Sequence, residues 1–491
     1  MMNRRGFVQS VAGAGAATWA GSLAFGAAEQ APAVPQGQNQ PARRASGLPA
    51  RGEFVVRNGH VLTMDPALGD IPGGDVHVRN GEIAAVGKNL SAPGATVLDA
   101  RRMIVLPGLV DTHWHMWTTF LRSMAGDKPE QGYFPMTTAY GQVMRPEDMY
   151  RSTRLAAAEA IYSGITTVND ECHNVRGHDY AVEDIRALQE AGLRARWSWG
   201  PYRGIPPNQP RDLADFEALH RDWTKYSNGG LISLGFIWSG IGAITSPASP
   251  ERFELSRKEI ETARRLGVPI SLHTSAKENA PPGWIEALAT EKFLGKDLLL
   301  IHVLGASPEE MKLVAAAGAS ISVSPGSELR IGYGLTKACA FDEAGINVCV
   351  SVDTTPLTGN AHMFGILKLL RNAENAKAFD EFKLTARRAL EFGTIQGARA
   401  LGIDHLTGSL TPGKRADLIL VRTDSLNMGF ITDAAHLLVE ATEPANVDTV
   451  VVDGRILKRS GKLTALDPEQ VIADAAAALD EVGKRLPRAR S

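Results

Sequence analysis

Four short stretches of the chain carry the residue types of a metal site. His113 and His115 lie in PGLVDTHWHMW, and His273, His302 and Asp353 each end a later apolar, strand-like run. Successive side chains of a strand alternate between its faces, so His113 and His115 point the same way. Two imidazoles from one strand, a third from another and a carboxylate from a fourth suit a borderline divalent ion such as zinc. Such an ion makes hydroxide available near neutral pH, which predicts hydrolytic chemistry.

The elements that must position these residues alternate along the chain. Helical patterns separate most of a series of apolar runs, which end near residues 111, 170, 200, 239, 273, 302, 324 and 353. Eight strands alternating with helices predict an α/β protein with a distorted (β/α)8 TIM barrel, in which active sites lie at the carboxyl ends of the strands. ARWSWG and LISLGFIW are the predicted third and fourth strands, and LTARRALEFGTIQGARALG is predicted to be a helix leaving the barrel.

Both ends of this alternating region carry a different pattern. FVVRNGHVLTM and DVHVRNGEIAAVG precede it, and GSLTPGKRADLILV and VDTVVVDGRILKRSGKLT follow it, each with β-rich runs beside turn signals. We therefore predict a small composite β-sandwich domain built from residues 51–104 and 404–465. The barrel would span 105–403, and a C-terminal helix would lie within 466–491.

The N-terminus has the pattern of an export signal. Arg4 and Arg5 precede an apolar, small-residue run, which predicts a twin-arginine signal peptide over residues 1–28 and a periplasmic location. An uncleaved anchor is the alternative for this leader. Residues 29–50 are rich in Pro, Gln and Ala, which is typical of a linker. No later stretch has the length and apolarity of a transmembrane helix.

Composition narrows the classes of partner. The chain of 491 residues has a net charge of −2, which gives no electrostatic case for binding nucleic acid or an acidic membrane. A small-molecule substrate is the expected partner, and the sequence leaves homo-oligomerisation open. The three cysteines, Cys172, Cys339 and Cys349, argue against a disulfide framework.

After the linker, most of the chain resembles the amidohydrolase superfamily. PGLVDTHWH resembles its first-strand motif, GITTVND its second strand, and GSLTPGKRADLILV its return to the small sheet domain. The most similar branch contains cytosine, guanine and adenosylhomocysteine deaminases and triazine hydrolases. The binuclear branches use a carboxylated lysine on the fourth strand, and LISLGFIWSG contains no lysine, which favours one metal ion.

This resemblance implies roles for the candidate residues. His113, His115, His273 and Asp353 would bind one divalent ion, for which zinc is favoured and iron and manganese are alternatives. Asp353 would also take a proton from the attacking water and pass it to the leaving nitrogen, and His302 would orient that water or stabilise the oxyanion.

The sequence departs from the deaminase pattern at one position. The branch usually has a glutamate three residues after the fifth-strand histidine, where this chain has Ala276, and Glu278 follows two residues later. Glu278 could replace the missing acid through a different loop path, or it could be a solvated loop residue. A third interpretation is that the substrate needs no ring protonation.

Three further residues are candidates for substrate contacts because they follow predicted barrel strands. They are Trp117, Arg203 and His362, and Arg203 would suit a carboxylate-bearing substrate because its planar fork binds carboxylates with two hydrogen bonds. DKPEQGYFPM, beyond the first motif, is predicted to form part of a lid.

These observations predict an exported, metal-dependent hydrolase of non-peptide carbon–nitrogen bonds that deaminates a nitrogen heterocycle or a cyclic amidine. Hydrolysis of an amide, a carbamate or a halogenated ring is the alternative within the same fold. A metal-loaded binding protein without turnover is the alternative from another class, suggested by the missing glutamate.

Overall fold

The computed structural model describes residues 47–206, 208–243, 246–247 and 249–487. The predicted signal peptide and the first part of the predicted linker lie outside these residues. In the described part of the chain, no helix combines the length and apolarity needed to cross a membrane.

Strands from both ends of the chain form one mixed sheet. Its nine strands within the described ranges are β1 (Phe54–Leu62), β2 (Asp70–Arg79), β3 (Glu82–Gly87), β4 (Thr96–Asp99), β5 (Met103–Pro107), β16 (Leu418–Arg422), β17 (Val447–Val452), β18 (Arg455–Arg459) and β19 (Lys462–Leu463). The two ends meet where β5 pairs antiparallel with β16, with Pro107 opposite Leu418. The alternating apolar side chains of these strands are buried in one core, as their period-two pattern requires.

Eight parallel strands form the barrel in the described part of the chain. They are β6 (Leu109–Trp114), β7 (Ile165–Cys172), β8 (Arg194–Trp199), β9 (Ile232–Ile237), β12 (Ile270–Thr274), β13 (Leu298–His302), β14 (Ser320–Val323) and β15 (Asn347–Val350). The two strands between β9 and β12, β10 (Gly242–Ala243) and β11 (Ser246–Pro247), form a separate short hairpin. The predicted TIM barrel is therefore confirmed, including its third and fourth strands, β8 and β9.

Helices α1 to α13 lie between and after the barrel strands: α1 (Tyr133–Val143), α2 (Pro146–Ser163), α3 (His178–Ala191), α4 (Leu213–Arg221), α5 (Pro250–Arg265), α6 (Trp284–Thr290), α7 (Pro308–Ala317), α8 (Pro325–Ile331), α9 (Ala338–Glu343), α10 (Thr355–Thr358), α11 (Met363–Ala378), α12 (Ala386–Phe392) and α13 (Ile395–Ala400). Helices α14 (Ala434–Ala441) and α15 (Pro468–Arg485) follow strands of the small sheet. Helix α2 ends at Gly164, whose φ of 93° lies in the left-handed region that glycine adopts without strain, and β7 begins at the next residue.

The segment predicted as one helix leaving the barrel is divided into two. Helix α12 ends before Gly393 and α13 begins after Thr394. The break leaves the carbonyl of Gly393 free to accept a hydrogen bond of 2.8 Å from the backbone N–H of Val110 in β6. A continuous helix would use that carbonyl internally, so the bond to the barrel wall accounts for the division.

Two of the contacts between the small sheet and the barrel require particular residues. Gly108 joins β5 to β6, and a Cβ atom there would lie 2.0 Å from the hydroxyl oxygen of Thr166, so only glycine fits. Arg194 of β8 donates from Nε to Asp417 at 2.5 Å in a buried ion pair. The carboxylate neutralises the guanidinium that burial would otherwise leave unpaired.

Candidate active site

The structure brings together five of the six residues predicted to carry the chemistry, all except Glu278. His113 and His115 of β6 place Nε2 3.1 and 3.5 Å from Oδ1 of Asp353. The rings of His273 and His302 lie close by, with centroids 4.7 and 5.8 Å from that of His113. Two groups of donor atoms each lie within 4.8 Å of one another: one from His113, His273 and His302, and one from His113, His115 and Asp353.

This cluster lies where the barrel closes. The backbone N–H of Asp353 donates to His113 at 2.8 Å, and that of His115 donates to Asp353 at 2.6 Å, which links the end of the first barrel strand to the segment after the last. The buried carboxylate of Asp111 strengthens the closure, because it accepts from the N–H groups of His113 and Val352, each at 3.0 Å. Burial raises the pKa of Asp111 to about 7.

Backbone strain is concentrated at two of the site residues. His302 and Asp353 have φ values of 72° and 64°, and Val303 has 59°, although none of them is glycine. Such left-handed conformations cost on the order of 1–3 kcal/mol each and persist where the surroundings over-determine them. At these residues the chain turns sharply as it leaves the carboxyl ends of β13 and β15.

A buried carboxylate that the sequence did not single out for the chemistry lies beneath the histidines. Glu171, at the end of β7, is completely buried, with Oε2 3.2 Å from Nδ1 of His113 and 3.7 Å from Nδ1 of His273. Its other oxygen accepts from Asn169 at 3.2 Å. His113 Nδ1 and Glu171 Oε2 face one another as a close ion pair, and neither atom has a hydrogen bond to any other described residue.

Burial and nearby charges shift the pKa values of the site's histidines in opposite directions. Burial lowers the pKa of His115 and of His273 far below the ordinary value, which leaves them as neutral imidazoles, the form that binds metal. Burial also disfavours charge on His113, but the carboxylates of Glu171 and Asp353 outweigh it and raise the pKa to about 10. Burial by itself would raise the pKa of Asp353. The hydrogen bond and charge of His113 outweigh burial and bring this pKa far below its usual range.

Helix α8 holds two of the site residues in place. Glu328 places Oε1 3.0 Å from Nδ1 of His302, and this oxygen also accepts the backbone N–H of Ser324 at 2.8 Å. Ser327 donates its hydroxyl to Oδ2 of Asp353. Sequence reasoning missed Glu328 and Ser327; the available signal was a polar helix start, SPGSE, directly after the seventh strand.

A cavity of about 370 Å³ opens above the cluster. His115, His273, His302 and Asp353 line its floor, and its wall includes Tyr133, Arg203, Arg252 and Tyr333. Tyr133 and Phe134 come from the segment predicted as a lid, and both line the cavity. In the part of the chain that the structure describes, Asp353 is the only carboxylate among the lining residues.

The remaining predicted site residues lie in different places. Arg203 lines the cavity, whereas Trp117, His362 and Glu278 do not. Trp117 is fully buried in a 3-10 helix, Met116–Leu121, and packs against Gly141 of α1.

His362 precedes α11 and places Nε2 2.9 Å from the carbonyl oxygen of Thr442. Glu278 is exposed and accepts the backbone N–H of Leu335 at 3.0 Å. Ala276, at the position of the expected glutamate, is fully buried in a small cluster with Leu304 and Tyr333.

Comparison with known proteins places these observations in a family. The model of the amidohydrolase family matches residues 104–457. The 5′-deoxyadenosine deaminase of Methanosarcina barkeri is 29% identical over 455 residues, covering 88% of this chain and 99% of that protein. The 5-methylthioadenosine/S-adenosylhomocysteine deaminase of Acetivibrio thermocellus is 26% identical over 442 residues, with coverages of 89% and 100%.

Solved structures share the fold. An adenosine deaminase from Xanthomonas campestris with bound zinc superimposes with a TM-score of 0.77 at 23% identity, covering 89% of this chain and all of that one. Guanine deaminase from E. coli gives 0.68 at 18% identity, covering 83% of this chain and 99% of that one. At these identities the likeness shows a common barrel and leaves the substrate to be argued from the cavity.

Proposed function

Because the chain belongs to the amidohydrolase family, whose members are metal-dependent hydrolases, we propose that it removes an amino group from a nitrogen heterocycle by hydrolysis. The proteins named above are deaminases of adenosine-like nucleosides and of guanine, and such a reaction breaks a carbon–nitrogen bond that is not a peptide bond. One observation carries the proposal: Asp353 lines the cavity while its Oδ1 lies within 3.5 Å of Nε2 of both His113 and His115.

The donor set fits one divalent cation. Four imidazoles converge around a single ligand carboxylate, and the imidazoles of His115 and His273 are neutral, so that uncharged nitrogen donors face one another in a buried site. We propose that His113, His115, His273 and Asp353 hold the ion, which is zinc by preference and iron or manganese as alternatives. When bound, such an ion lowers the pKa of water and supplies the hydroxide nucleophile.

The chain's own residues would manage the protons and the developing charge. Asp353 faces the cavity and is fixed through Oδ2 by the hydroxyl of Ser327, so it can take a proton from water and deliver it to the departing nitrogen. His302 is oriented by Glu328 at Nδ1, which leaves Nε2 to serve the substrate. A hydrogen bond from Nε2 would stabilise negative charge as the carbon becomes tetrahedral.

The test is release of ammonia from a panel of heterocycles by the zinc-loaded protein. The panel would contain 5′-deoxyadenosine, S-adenosylhomocysteine, guanine, cytosine, pterin and amino-triazines. Asp353→Asn is the blank and Asp480→Asn, at an exposed carboxylate of α15, is the matched control. The proposal predicts release by the wild type and by Asp480→Asn, and loss of release in Asp353→Asn.

Three results would contradict the proposal or part of it. If the metal-loaded protein releases no ammonia from any compound of the panel, the proposed reaction becomes hydrolysis of an amide, a carbamate or a halogenated ring. The absence of an acid at Ala276 would then be explained, because such substrates need no ring protonation. Silence toward those classes as well would leave a binding protein without turnover. Unchanged release in Asp353→Asn would show that another residue handles the proton.

We also propose that the protein is exported to the periplasm through the twin-arginine pathway. The support is the Arg4-Arg5 pair followed by an apolar leader, and this pathway carries proteins that have already folded around their metal. Replacing both arginines with lysine should retain the protein in the cytoplasmic fraction. Periplasmic recovery of that variant at the wild-type level would contradict the proposal.

A further inference from the structure

Arg203 is a cation without an anion. Its side chain lines the cavity, yet within the described residues no carboxylate lies within ion-pair distance of its guanidinium, and its buried Nε–H has no hydrogen-bond partner. The group lies 5.2 and 5.8 Å from the ring centres of Phe134 and Tyr133, which are contacts of the cation–π type. These aromatic faces hold the guanidinium in place, but they are not acceptors for the N–H groups that point outward in the plane of the guanidinium.

A second unused donor lies beside it. The hydroxyl of Tyr133 is buried and has no hydrogen-bond partner in the part of the chain that the structure describes, and only 6% of this residue is exposed. A buried donor without a partner costs about 1–3 kcal/mol. Two such donors on one wall of the cavity are therefore available to an acceptor carried by a molecule that enters it.

The cavity has no acceptor of its own to offer them. Asp353 is its only carboxylate among the described lining residues, and its oxygens are already engaged with His113, His115 and Ser327. A second arginine, Arg252, lines the same cavity, also with no carboxylate within ion-pair distance among the described residues. The wall of the cavity thus carries an excess of positive charge.

We propose that Arg203 and Tyr133 bind a carboxylate carried by the substrate, so that the enzyme acts on acid-bearing heterocycles in preference to neutral ones. This inference rests on the proposed function, because it names the substrate class of the same cavity. The guanidinium fork matches the planar carboxylate with two parallel hydrogen bonds, and the phenol hydroxyl adds a third. The flat faces of Tyr133 and Phe134 suit an aromatic ring attached to that carboxylate.

The experiment compares acids with matched neutral molecules by calorimetric binding to the zinc-loaded Asp353→Asn protein, in which turnover is removed. The pairs are orotate with uracil and pterin-6-carboxylate with pterin, each differing by one carboxylate. In at least one pair the acid should bind at least about tenfold more tightly, which is the size of a charge-assisted hydrogen bond. Inorganic phosphate serves as a separate probe, and stronger binding of phosphate than of every acid would overturn the choice of a carboxylate.

Variants in the same background locate the preference. Arg203→Gln should bring the two affinities of the responding pair within about twofold, and Tyr133→Phe should weaken the acid several-fold while leaving the neutral molecule unchanged. Arg79→Gln, at an exposed arginine of β2, should change neither affinity. If no pair favours the acid, or if Arg203→Gln keeps the preference, the inference is wrong.

This design separates the inference from the proposed function. Acid preference without ammonia release from any compound would leave the carboxylate site standing and remove deamination. Ammonia release from neutral heterocycles alone, with no acid preference in binding, would do the reverse.

Discussion

Replacing Glu171 with glutamine should weaken metal binding without removing any ligand. The carboxylate is sealed under the cluster, with Oε2 3.2 Å from Nδ1 of His113 and 3.7 Å from Nδ1 of His273. A carboxylate behind a ligand histidine fixes the ring and makes its other nitrogen a stronger donor. Glutamine keeps the shape of the side chain but removes the charge that acts on both imidazoles.

The size of the effect follows from this arrangement. Loss of one such outer partner typically lowers metal affinity about 10–100-fold, which equals about 1.4–2.7 kcal/mol. Glu171 lies near two ligand histidines, so we expect a value toward the upper end of this range. The effect should be specific for the metal, because the side chain makes no contact with the cavity.

The assay is competition for zinc against a chromophoric chelator, which yields the dissociation constant without any substrate. Glu286→Gln, at an exposed glutamate of α6, is the matched control and should bind zinc as the wild type does. Circular dichroism of both metal-free variants would verify that they fold. A folded Glu171→Gln protein whose zinc affinity stays within about twofold of the wild type would refute this reasoning.

Three further predictions concern stability. Gly108→Ala should lower the midpoint of thermal unfolding, because a Cβ atom there would lie 2.0 Å from the Thr166 hydroxyl, and overpacking of this kind costs about 1–3 kcal/mol; adding Thr166→Gly should recover much of the loss. Burial lowers the pKa of Lys458 from 10.5 to about 8 in the folded protein. Between pH 8 and pH 10.5 the unfolded chain therefore binds more protons than the folded chain, so the contribution of this side chain to stability rises with pH. The rise is roughly 3 kcal/mol at most. The difference in unfolding midpoint between wild type and Lys458→Met, measured from pH 7 to 10.5, should therefore shift in favour of the wild type. Chelation of the bound metal should lower the wild-type midpoint, since a ligand of the folded state alone stabilises it by about 2.7 kcal/mol at one hundred times its dissociation constant. The chelator should leave the midpoint of the metal-free wild type unchanged.

Contrary outcomes are equally defined. An unaltered midpoint for Gly108→Ala would mean that the junction between β5 and β6 yields to the added methyl group. A difference between wild type and Lys458→Met that stays constant with pH would mean that Lys458 keeps its proton in the folded state. Insensitivity of the wild type to chelation would argue against a metal held by the folded chain.

The cluster of four histidines and Asp353 could be predicted from the sequence because it depends on local rules. A strand places His113 and His115 on one face, and strands of a parallel barrel bring their carboxyl ends together, which gathers His273, His302 and Asp353 at the same rim. Alternating apolar runs were enough to predict eight strands, including the two weaker segments that became β8 and β9.

The rest of the site depends on how the loops fold. Trp117 follows the first motif directly, but the 3-10 helix after His115 turns its ring into the core. Tyr133, the first residue of α1, lines the cavity instead. The contacts of Glu171, Ser327 and Glu328 join distant elements, so no local pattern could assign them their partners.

The most direct test of the account is a zinc titration of the metal-free protein, following ammonia release from the panel compounds. The account predicts no release without metal, a linear rise as zinc is added, and a plateau at one equivalent per chain, with Asp353→Asn silent throughout. Full release by the metal-free protein, a plateau at two equivalents, or no release at any zinc level would contradict a single-metal deaminase built on His113, His115, His273 and Asp353.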